Sequence, residues 1–317
     1  MASMNLTKVT VVTPCYNEED NVEALFAKVK EVMATVKDRY EYEHLFIDNH
    51  SQDRTVEILR RLSSTERALR VIVNSRNFGH IRSPAYALLQ AKGDVVISLV
   101  ADFQDPPEMI LAFLAHWEKG AKIVMGVKES AEESPLFFAV RKAYYNLVSR
   151  LSDVQLVKNF TGFGLYDQKI IKILREIDDP YPYWRGLISD IGFEPVIVKY
   201  KQPVRKRGLT KNNFYTLYDI AMLGITNHSK VPLRVATMAG FAMSALSLLM
   251  SFCYLFAKLI FWNQFQIGTA PILISLFFFS SLQLFFIGIL GEYIGSIHTQ
   301  VQKRPLVVEK ERIGFGS

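Results

Sequence analysis

Apolar and polar positions follow two rhythms in the first part of the chain. Short apolar runs typical of buried strands lie at 8–16, 43–48, 69–75, 94–100 and 121–127. Between them, apolar residues three or four positions apart predict helices at 21–36, 53–64, 83–92 and 107–120. Strands that alternate with helices in this way predict an α/β domain, with a mostly parallel sheet covered by helices on both faces.

A different pattern follows in the last third. No Asp, Glu, Lys or Arg occurs between Arg234 and Lys258, or between Lys258 and Glu292. A helix needs about 20 apolar residues to cross the ~30 Å hydrocarbon core of a bilayer. We therefore predict two transmembrane helices, at about 235–256 and 269–290. A hairpin buried in a soluble core is the alternative.

The flanking charges predict the orientation of this helix pair. Lys230 and Arg234 precede the first helix, and Lys303 and Arg304 follow the second. Basic residues favour the cytoplasmic side, so both termini are expected there, with the short connecting loop outside. The opening "MASMNLTKVTVV" lacks the apolar core of a signal peptide, so we expect the large domain to stay in the cytoplasm, attached to the cytoplasmic (inner) membrane as part of a multi-pass protein.

Charge and cysteine content exclude several classes of function. The 317 residues include 37 Lys and Arg against 31 Asp and Glu, a net charge of +6. Basic residues beside a membrane explain this excess, and no nucleic-acid-binding motif accompanies it, so no nucleic-acid partner is expected. Cys15 and Cys253 fall in the soluble domain and in a predicted membrane helix, which argues against a disulfide framework or a zinc site.

Polar side chains follow four successive strands. Ligands of parallel sheets bind beyond the carboxyl ends of the strands, so these residues are candidates for one site. They are Pro14, Tyr16, Asn17 and Glu18 after the first strand, Asp48 and Asn49 after the second, Arg76 after the third, and Asp102, Gln104 and Asp105 after the fourth.

The stretch "ISLVADFQDPPE" carries the most specific chemistry. The first strand-to-helix turn, "TPCYNEEDN", has no glycine, which argues against a Rossmann dinucleotide site. An acidic edge repels phosphate unless a divalent metal intervenes, and one or two carboxylates with substrate phosphates suffice to hold Mg²⁺. We therefore interpret Asp102 as a Mg²⁺ or Mn²⁺ ligand at a nucleotide diphosphate, and Val100 as the last buried residue of the strand. Asp105 is either an acid near the metal or acceptor, or the N-cap of the next helix.

These motifs together resemble those of a known family. "VVTPCYNEEDNV", "FIDNHSQDRT", "SRNFGH", "GDVVISLVADFQDPPEMI" and "RKRGLTK" occur in the order found in family 2 inverting glycosyltransferases. The C-terminal "VPLRVATMAGF" and "GILGEYIGSIH" resemble the membrane hairpin of bactoprenol (undecaprenyl-phosphate) glucosyltransferases, relatives of dolichyl-phosphate mannose synthase. The resemblance covers about 9–305. It implies a GT-A domain, a nucleotide-sugar donor, a divalent metal, a polyprenyl-phosphate acceptor and a role in making cell-envelope polysaccharide.

The resemblance also implies roles for individual residues. Pro14, Tyr16, Asn17 and Glu18 would contact the nucleoside. Asp48 and Asn49 would face the base, with Arg76 near the base or ribose. Asp102 would bind the metal and Gln104 would face the donor or its phosphates, while Arg205 and Lys211 would lie on a loop over the diphosphate.

The chain departs from the family pattern in three places. Val100 stands where the first acid of D-x-D is expected. Asn49 and His50 replace an acid and a glycine, and the "GDFRL" element reads "TGFGL", with Gly162 and Gly164 in place of an acid and an arginine. A catalytically silent relative that binds lipid phosphate or a partner is therefore a second hypothesis. A processive polysaccharide synthase is disfavoured, because the Q-x-x-R-W element and further membrane helices are missing.

We predict a transferase that moves a hexose, first of all glucose from UDP-glucose, to polyprenyl phosphate. GDP-mannose, UDP-N-acetylglucosamine and other UDP-sugars are alternative donors. The expected organisation is a GT-A domain at 1–211, a juxtamembrane amphipathic segment at 212–234, the helix pair at 235–291 and a cytoplasmic tail at 292–317. A second interfacial helix is expected at 134–151, and the spacing of Gly288, Gly291 and Gly295 favours a homo-oligomer.

Overall fold

The computed structural model of the chain describes residues 6–129, 157, 159–203, 222, 226, 229–261 and 269–316. Its first part alternates strands and helices, as the apolar pattern predicts. The order is β1 (Thr7–Cys15), α1 (Val22–Ala34), β2 (Tyr40–Asp48), α2 (Thr55–Thr65), β3 (Leu69–Asn74), α3 (Gly79–Gln90), β4 (Val95–Ser98), α4 (Met109–Glu118) and β5 (Ile123–Lys128). The helix α3 begins earlier than expected, because the backbone N–H of Gly79 donates to the Asn77 side chain and starts the turn there.

The remaining elements complete one sheet and add two long helices. They are β6 (Phe160–Asp167), α5 (Gln168–Ile177), α6 (Trp184–Asp190), β7 (Val196–Tyr200), α7 (Val231–Ile260), α8 (Thr269–Gln302) and β8 (Glu309–Ile313). The sheet order is β7-β5-β6-β4-β1-β2-β3-β8. Only β6 and β8 run antiparallel to their neighbours among the described strands, which confirms the mostly parallel sheet.

Helices cover both faces of the sheet. On one face, Leu25 of α1, Leu59 of α2 and Phe113 of α4 join a buried cluster with alternate residues of the strands. On the other face, Leu88 of α3 and Ile171 of α5 do the same. The carboxyl ends of β1, β2, β3 and β4 therefore meet at one edge, held by two apolar layers. We call this the carboxyl edge; it comprises the loops that follow these four strands.

The long helices α7 and α8 are exposed. The chain has two helices long and apolar enough to cross a membrane, Val231–Ala257 and Ile274–Gln302, and none of either apolar segment is buried. Phe241 is 73% exposed and Phe277 is 70% exposed. The domain therefore does not bury this helix pair in its core. The second helix also continues to Gln302, beyond the expected end at 290, and no proline interrupts the stretch between 290 and Pro305.

The C-terminal residues are a strand of the domain. Pairing of Ile313 with Val71 and of Glu311 with Val73 makes β8 the edge strand beside β3. Arg60 fixes it through two bonds to the Glu311 carboxylate, at 2.5 and 2.8 Å, and the Tyr86 hydroxyl donates to Glu309 at 2.6 Å. The segment expected as a cytoplasmic tail at 292–317 therefore contains the end of α8 and the strand β8. The expected helix at 134–151 lies outside the described residues, and so does the expected segment at 212–234 except for residues 222, 226 and 229–234.

A buried histidine marks the core of β2. His44 is fully buried, and its Nε2 lies 2.9 Å from the Thr13 hydroxyl. Its ring stacks on Phe46 with centroids 4.2 Å apart, while its Nδ1 has no partner among the described residues. Burial lowers the pKa of His44 to about 3. The imidazole is therefore neutral in the fold throughout the physiological pH range.

This histidine predicts an acid-sensitive fold. The unfolded chain takes up a proton at His44 near its usual pKa of 6.5, whereas the folded chain does so only at about 3. Stability is complete above 6.5 and falls as pH drops toward 3, by up to about 1.4 kcal/mol per pH unit. Thermal unfolding of detergent-solubilised protein between pH 7.5 and 4.5 measures the slope, and His44→Gln should flatten it. An unchanged slope in the variant would contradict the assignment.

Candidate active site

Three turns of the carboxyl edge contain a residue in the left-handed region. These residues are Asn17 after β1 (φ 54°), His50 after β2 (φ 68°) and Phe103 after β4 (φ 60°). Non-glycine residues seldom adopt this conformation, and those that do are concentrated at functional sites. His50 stands where the resemblance implies a glycine, so this turn places a side chain at a position that favours glycine. The edge is thus built from sharp turns that aim side chains away from the sheet.

The first two loops of the edge are tied to each other. The backbone N–H of Asn17 donates to the Ser51 hydroxyl, and the backbone N–H of Gln52 donates to the Asn17 side chain, both at 2.8 Å. The backbone N–H of Glu18 donates to the Thr55 hydroxyl at 2.9 Å. Pro14, Tyr16, Asn17 and Glu18 are all partly exposed beside this junction. Their predicted contact with a nucleoside stays a prediction.

Asp48 is enclosed within its own turn. It is fully buried, and its carboxylate accepts the Ser51 hydroxyl and, at 3.0 Å, the Ser51 backbone N–H. Burial raises the pKa of Asp48, while the bonds from Ser51 oppose that rise. The carboxylate thus shapes the loop after β2, where the family resemblance places the base.

Asn49 has a role that an acid could not fill. Its Oδ1 accepts from Asn74 Nδ2 at 3.1 Å and from the Phe78 backbone at 2.9 Å. Its Nδ2 donates to Asn77 Oδ1 at 2.9 Å and to the Gly79 carbonyl at 3.2 Å. A carboxylate cannot donate the last two bonds. The amide at 49 is therefore explained by the loop between β3 and α3, which it holds together.

Arg76 lies on that same loop. Its side chain is exposed, and its guanidinium carbon lies 4.0 Å from the centroid of the Phe78 ring. It also donates to the Asn77 carbonyl at 3.0 Å. The stacking holds the Arg76 guanidinium at the carboxyl edge, on the same loop that Asn49 bonds. The sequence predicts that this loop borders the base or ribose.

The turn after β4 holds the two acids. Asp102 is partly exposed, and its Oδ1 accepts the backbone N–H of Gln104 at 3.1 Å across the left-handed Phe103. Gln104 is also partly exposed. The bond from the Gln104 backbone fixes the Asp102 carboxylate at the carboxyl edge. Its role as a metal ligand stays a prediction.

Asp105 is buried behind Asp102. It is 2% exposed, and the Tyr200 hydroxyl donates to its Oδ1 at 2.7 Å. Burial raises the pKa of Asp105 to about 6, although Tyr200 and the nearby Lys128 oppose the rise. The cap interpretation is wrong, because α4 begins at Met109 after Glu108 and no side chain caps it.

Neutralising Asp105 should stabilise the fold. Because its pKa rises from 3.8 to about 6, the protonated form is favoured, and the stability that it contributes is lost as pH rises through 6. At pH 7.5 the buried charge therefore costs free energy, and Asp105→Asn should raise the unfolding free energy by about 1–3 kcal/mol. Thermal unfolding at pH 7.5 measures this. Tyr200→Phe should act in the opposite direction, since it leaves the buried carboxylate without its donor. A destabilised Asp105→Asn protein would contradict the argument.

The sequence analysis did not identify two cations that lie near these acids. Burial lowers the pKa of Lys128, whereas the charges of Asp105 and Asp102 raise it. Arg185, at the start of α6, is close enough to lower that pKa further. Lys128 ends β5, so the rule that polar residues at strand ends build the site could have found it. Nothing in the local pattern around Arg185 pointed to the site.

Val100 does not end the strand. β4 stops at Ser98, and Val100 lies two residues beyond, partly exposed. It lines a pocket of about 200 Å³ together with Pro14, Gly162 and Arg185. The interpretation of Val100 as a buried strand residue is therefore wrong. Two of the departures from the family pattern, Val100 and Gly162, face the same cavity.

The comparisons with known proteins agree with this architecture. A family model described as glycosyl transferase family 2 matches residues 10–179. A Bacillus subtilis protein named uncharacterized glycosyltransferase YkcC is 33% identical over 96% of this chain and 94% of its own length. The chain belongs to glycosyltransferase family 2. The family predicted from the motifs is thus confirmed, and the mostly parallel sheet with helices on both faces is the expected GT-A type of fold.

Other relatives of this glycosyltransferase carry more specific names. A Shigella flexneri protein named SfII prophage-derived bactoprenol glucosyl transferase is 30% identical over 96% of this chain and 98% of its own length. Among solved structures, mannosyl-3-phosphoglycerate synthase from Rubrobacter xylanophilus is 17% identical, with a TM-score of 0.46, over 74% of this chain and 75% of that one.

The donor set of this glycosyltransferase suits a metal that the substrate helps to bind. No group of three or more His, Cys, Asp or Glu side chains able to hold a metal occurs among the residues that the structure describes. In the turn after β4, the Asp102 carboxylate is partly exposed, whereas Asp105 is buried and accepts a hydrogen bond from Tyr200. One carboxylate fits Mg²⁺ or Mn²⁺ when a diphosphate and water supply the other oxygens. Arg205 and Lys211, the predicted partners of the diphosphate, lie outside the described residues.

Proposed function

We propose that this glycosyltransferase moves a hexose, first of all glucose from UDP-glucose, to a polyprenyl phosphate at the cytoplasmic face of a membrane. The observation that carries the proposal is the likeness over 98% of the length of a protein named bactoprenol glucosyl transferase. Two exposed apolar helices in the same chain as the carboxyl edge agree with a substrate that resides in a bilayer.

The path of the chain supports a membrane hairpin. β8 follows α8 and pairs with β3, so the C-terminal strand belongs to the sheet that carries the site. If α7 and α8 cross a membrane, the start of α7 and the end of α8 then lie on the same side as the domain. Lys230 and Arg234 on one helix and Lys303 and Arg304 beyond the other agree with a cytoplasmic side. The multi-pass inner-membrane location and cytoplasmic termini are part of this proposal.

The acceptor's chemistry explains how a site with few acids could work. A phosphate monoester has a second pKa of about 6 and is already an anion at pH 7, so it needs little help from a general base. One of its oxygens attacks the anomeric carbon opposite the departing nucleoside diphosphate. The new C–O bond forms as the bond to the diphosphate breaks, which inverts the anomeric centre. No acid is required where Gly162 now stands.

The chain's own residues then position reactants and balance charge. Asp102 would hold a divalent ion, which supplies positive charge to the leaving diphosphate. Gln104 would face the donor's phosphates, and Lys128 adds a cation behind the two acids. Pro14, Tyr16, Asn17, Glu18 and Arg76 would border the nucleoside, beside the loops shaped by Asp48 and Asn49. Arg205 and Lys211 keep their proposed place over the diphosphate.

A panel of donors tests the proposal. Purified full-length protein in detergent, with undecaprenyl phosphate and Mg²⁺, is offered labelled UDP-glucose, UDP-N-acetylglucosamine and GDP-mannose, and label entering the lipid phase is counted. Transfer from UDP-glucose that is lost in EDTA is the expected result. If sugar is transferred from another donor, that donor's sugar would replace glucose in the proposal. Metal-dependent nucleotide binding without transfer from any donor would favour the silent relative, a second candidate motivated by Val100 and Gly162.

The spacing of Gly288, Gly291 and Gly295 on α8 motivates a proposal of self-association, because small residues let helices approach closely in a bilayer. No side chain placed at these glycines would meet another described part of the chain within 4 Å. Light scattering of the solubilised protein gives the oligomeric mass. A strictly monomeric mass in several detergents would contradict this part of the proposal.

A further inference from the structure

The chain returns from helix α8 to the sheet along helix α3. Residues 303–308 connect α8 to β8, and we call 303–313 the C-terminal strap. Three side chains of α3, spaced four positions apart, each form a hydrogen bond with the strap: Arg82, Tyr86 and Gln90. Residues four positions apart lie on one face of a helix. A single face of α3 therefore holds the strap over about two turns.

Arg82 is the member of this face that reaches the carboxyl edge. Its guanidinium donates to the Pro305 carbonyl of the strap, and its guanidinium carbon lies 5.4 Å from the centroid of the Phe78 ring. The guanidinium carbon of Arg76 lies 4.0 Å from the same centroid. Both distances are within the range of about 6 Å over which a cation is attracted to an aromatic ring. Phe78, in the loop after β3, thus attracts two guanidinium groups, one of which the strap holds.

The strap also bonds the backbone of this loop. Ser75, the first residue after β3, donates its backbone N–H to the Val308 carbonyl at 2.9 Å, and the neighbouring Val307 is buried. Further along the loop, the Phe78 backbone N–H donates to the Asn49 side chain at 2.9 Å. The loop after β3 is therefore anchored from two sides, by the loop after β2 and by the strap.

Positive charge is concentrated where the strap meets the loop. Burial lowers the pKa of Arg82, and the nearby charges of Arg76 and Arg304 lower it further. Guanidinium groups this close repel one another, and the Pro305 carbonyl and the Phe78 ring attract Arg82 and offset that repulsion. Losing the contact between Arg82 and the strap would therefore remove one of the supports of the Phe78 ring.

We propose that the C-terminal strap helps to position the donor's nucleoside, with Arg82 as the positioning residue. The inference rests on the proposed function, which puts the nucleoside beside Arg76 in the loop after β3. Arg82 does not touch the donor in this arrangement. It holds Phe78, on which Arg76 stacks, and so fixes the loop that borders the nucleoside. The segment after α8 thereby gains a role in the reaction in addition to its role as an edge strand.

A kinetic comparison tests Arg82. In steady-state transfer to undecaprenyl phosphate, Arg82→Gln should raise the donor KM at least about fivefold and leave kcat and the acceptor KM within about twofold, because only the loop beside the nucleoside loses support. Arg82→Lys keeps a cation that can donate to the Pro305 carbonyl, so it should restore most of the lost donor affinity.

Arg60→Gln is the matched control. Arg60 anchors the same strap through the Glu311 carboxylate, but from α2 on the opposite face of the sheet from α3. Its loss should lower the thermal stability and leave the donor KM unchanged. An unchanged donor KM in Arg82→Gln would overturn the proposal. An equal rise of the donor KM in Arg60→Gln would also overturn it, since the strap would then act through stability alone.

Nucleotide binding separates this inference from the proposed function. Titration calorimetry of the full-length protein with UDP and with GDP, in Mg²⁺, should give a Kd that Arg82→Gln raises at least about fivefold and Arg60→Gln leaves unchanged. Nucleotide binding that is sensitive to Arg82→Gln, without transfer of any sugar, would support the strap's role and sink the proposed function. Sugar transfer with a Kd that does not respond to Arg82→Gln would sink the strap's role and leave the proposed function standing. Binding of neither nucleotide would overturn both.

Discussion

Asp102→Asn should lower kcat/KM for sugar transfer by about 10²–10³-fold while leaving the fold intact. Asparagine keeps the size of the side chain and can still accept the Gln104 backbone N–H that fixes the turn. It loses the charge that would hold a divalent ion against the diphosphate, and removing one preorganised charge partner of a transition state costs about 3–4 kcal/mol. The loss should be larger than for Asp48 or Asp105, because both are buried among protein donors.

The measurement combines turnover with metal dependence. Transfer rates are recorded across a Mg²⁺ titration, and nucleotide binding is followed with and without metal. The variant should bind nucleotide with little response to metal, and excess Mg²⁺ should restore part of the turnover. Asp38→Asn is the matched control, since Asp38 is exposed just before β2, at the opposite end of the strands. An Asp102→Asn enzyme with full activity and unchanged metal response would remove Asp102 from the proposed metal site.

Asp102 also illustrates how far the sequence predicts this site. The apolar rhythm predicts the strands, and the carboxyl-end rule then brings the loops after β1, β2, β3 and β4 together, because parallel strands end at one edge. These inferences need only local pattern and a general rule of topology. They correctly predict the sheet and the grouping of the loops, although the finer role of each side chain depends on partners distant in sequence.

The sequence does not predict the roles of residues whose partners are distant along the chain. One interpretation of Asp105 from the sequence is a helix N-cap, because Pro106 follows it. Its hydrogen-bond donor in the structure is Tyr200, 95 positions away. The sequence suggests that Asn49 replaces an acid, yet its side chain bonds four groups between the end of β3 and the start of α3. The strand β8 lies beyond the two long apolar helices α7 and α8 and has no apolar alternation strong enough to reveal it; its place depends on Arg60 and Tyr86.

The departure at Gly164 has a steric cause that predicts the largest loss of stability. In the family pattern an arginine stands there, but a Cβ at Gly164 would lie 2.4 Å from the Val124 carbonyl oxygen of β5. That neighbour is backbone in a strand pair, with Met125 opposite Gly164 in the register, so it cannot move aside without breaking the sheet. Gly164→Ala should therefore lower the unfolding free energy by about 3 kcal/mol or more, and Gly164→Arg should fail to fold.

Gly162 provides the matched comparison two residues away. It has φ 104°, which disfavours a side chain, but a Cβ there would meet nothing within 4 Å. Gly162→Ala should consequently lose only about 1–2 kcal/mol, from backbone strain alone. Thermal unfolding of both alanine variants in the same detergent, with circular dichroism at 25 °C as a check on folding, ranks the two effects. Equal losses of unfolding free energy would show that β5 can shift at Val124. The absence of an arginine at position 164 would then have to be explained by the reaction, and the pocket lined by Arg185 would be the place to examine.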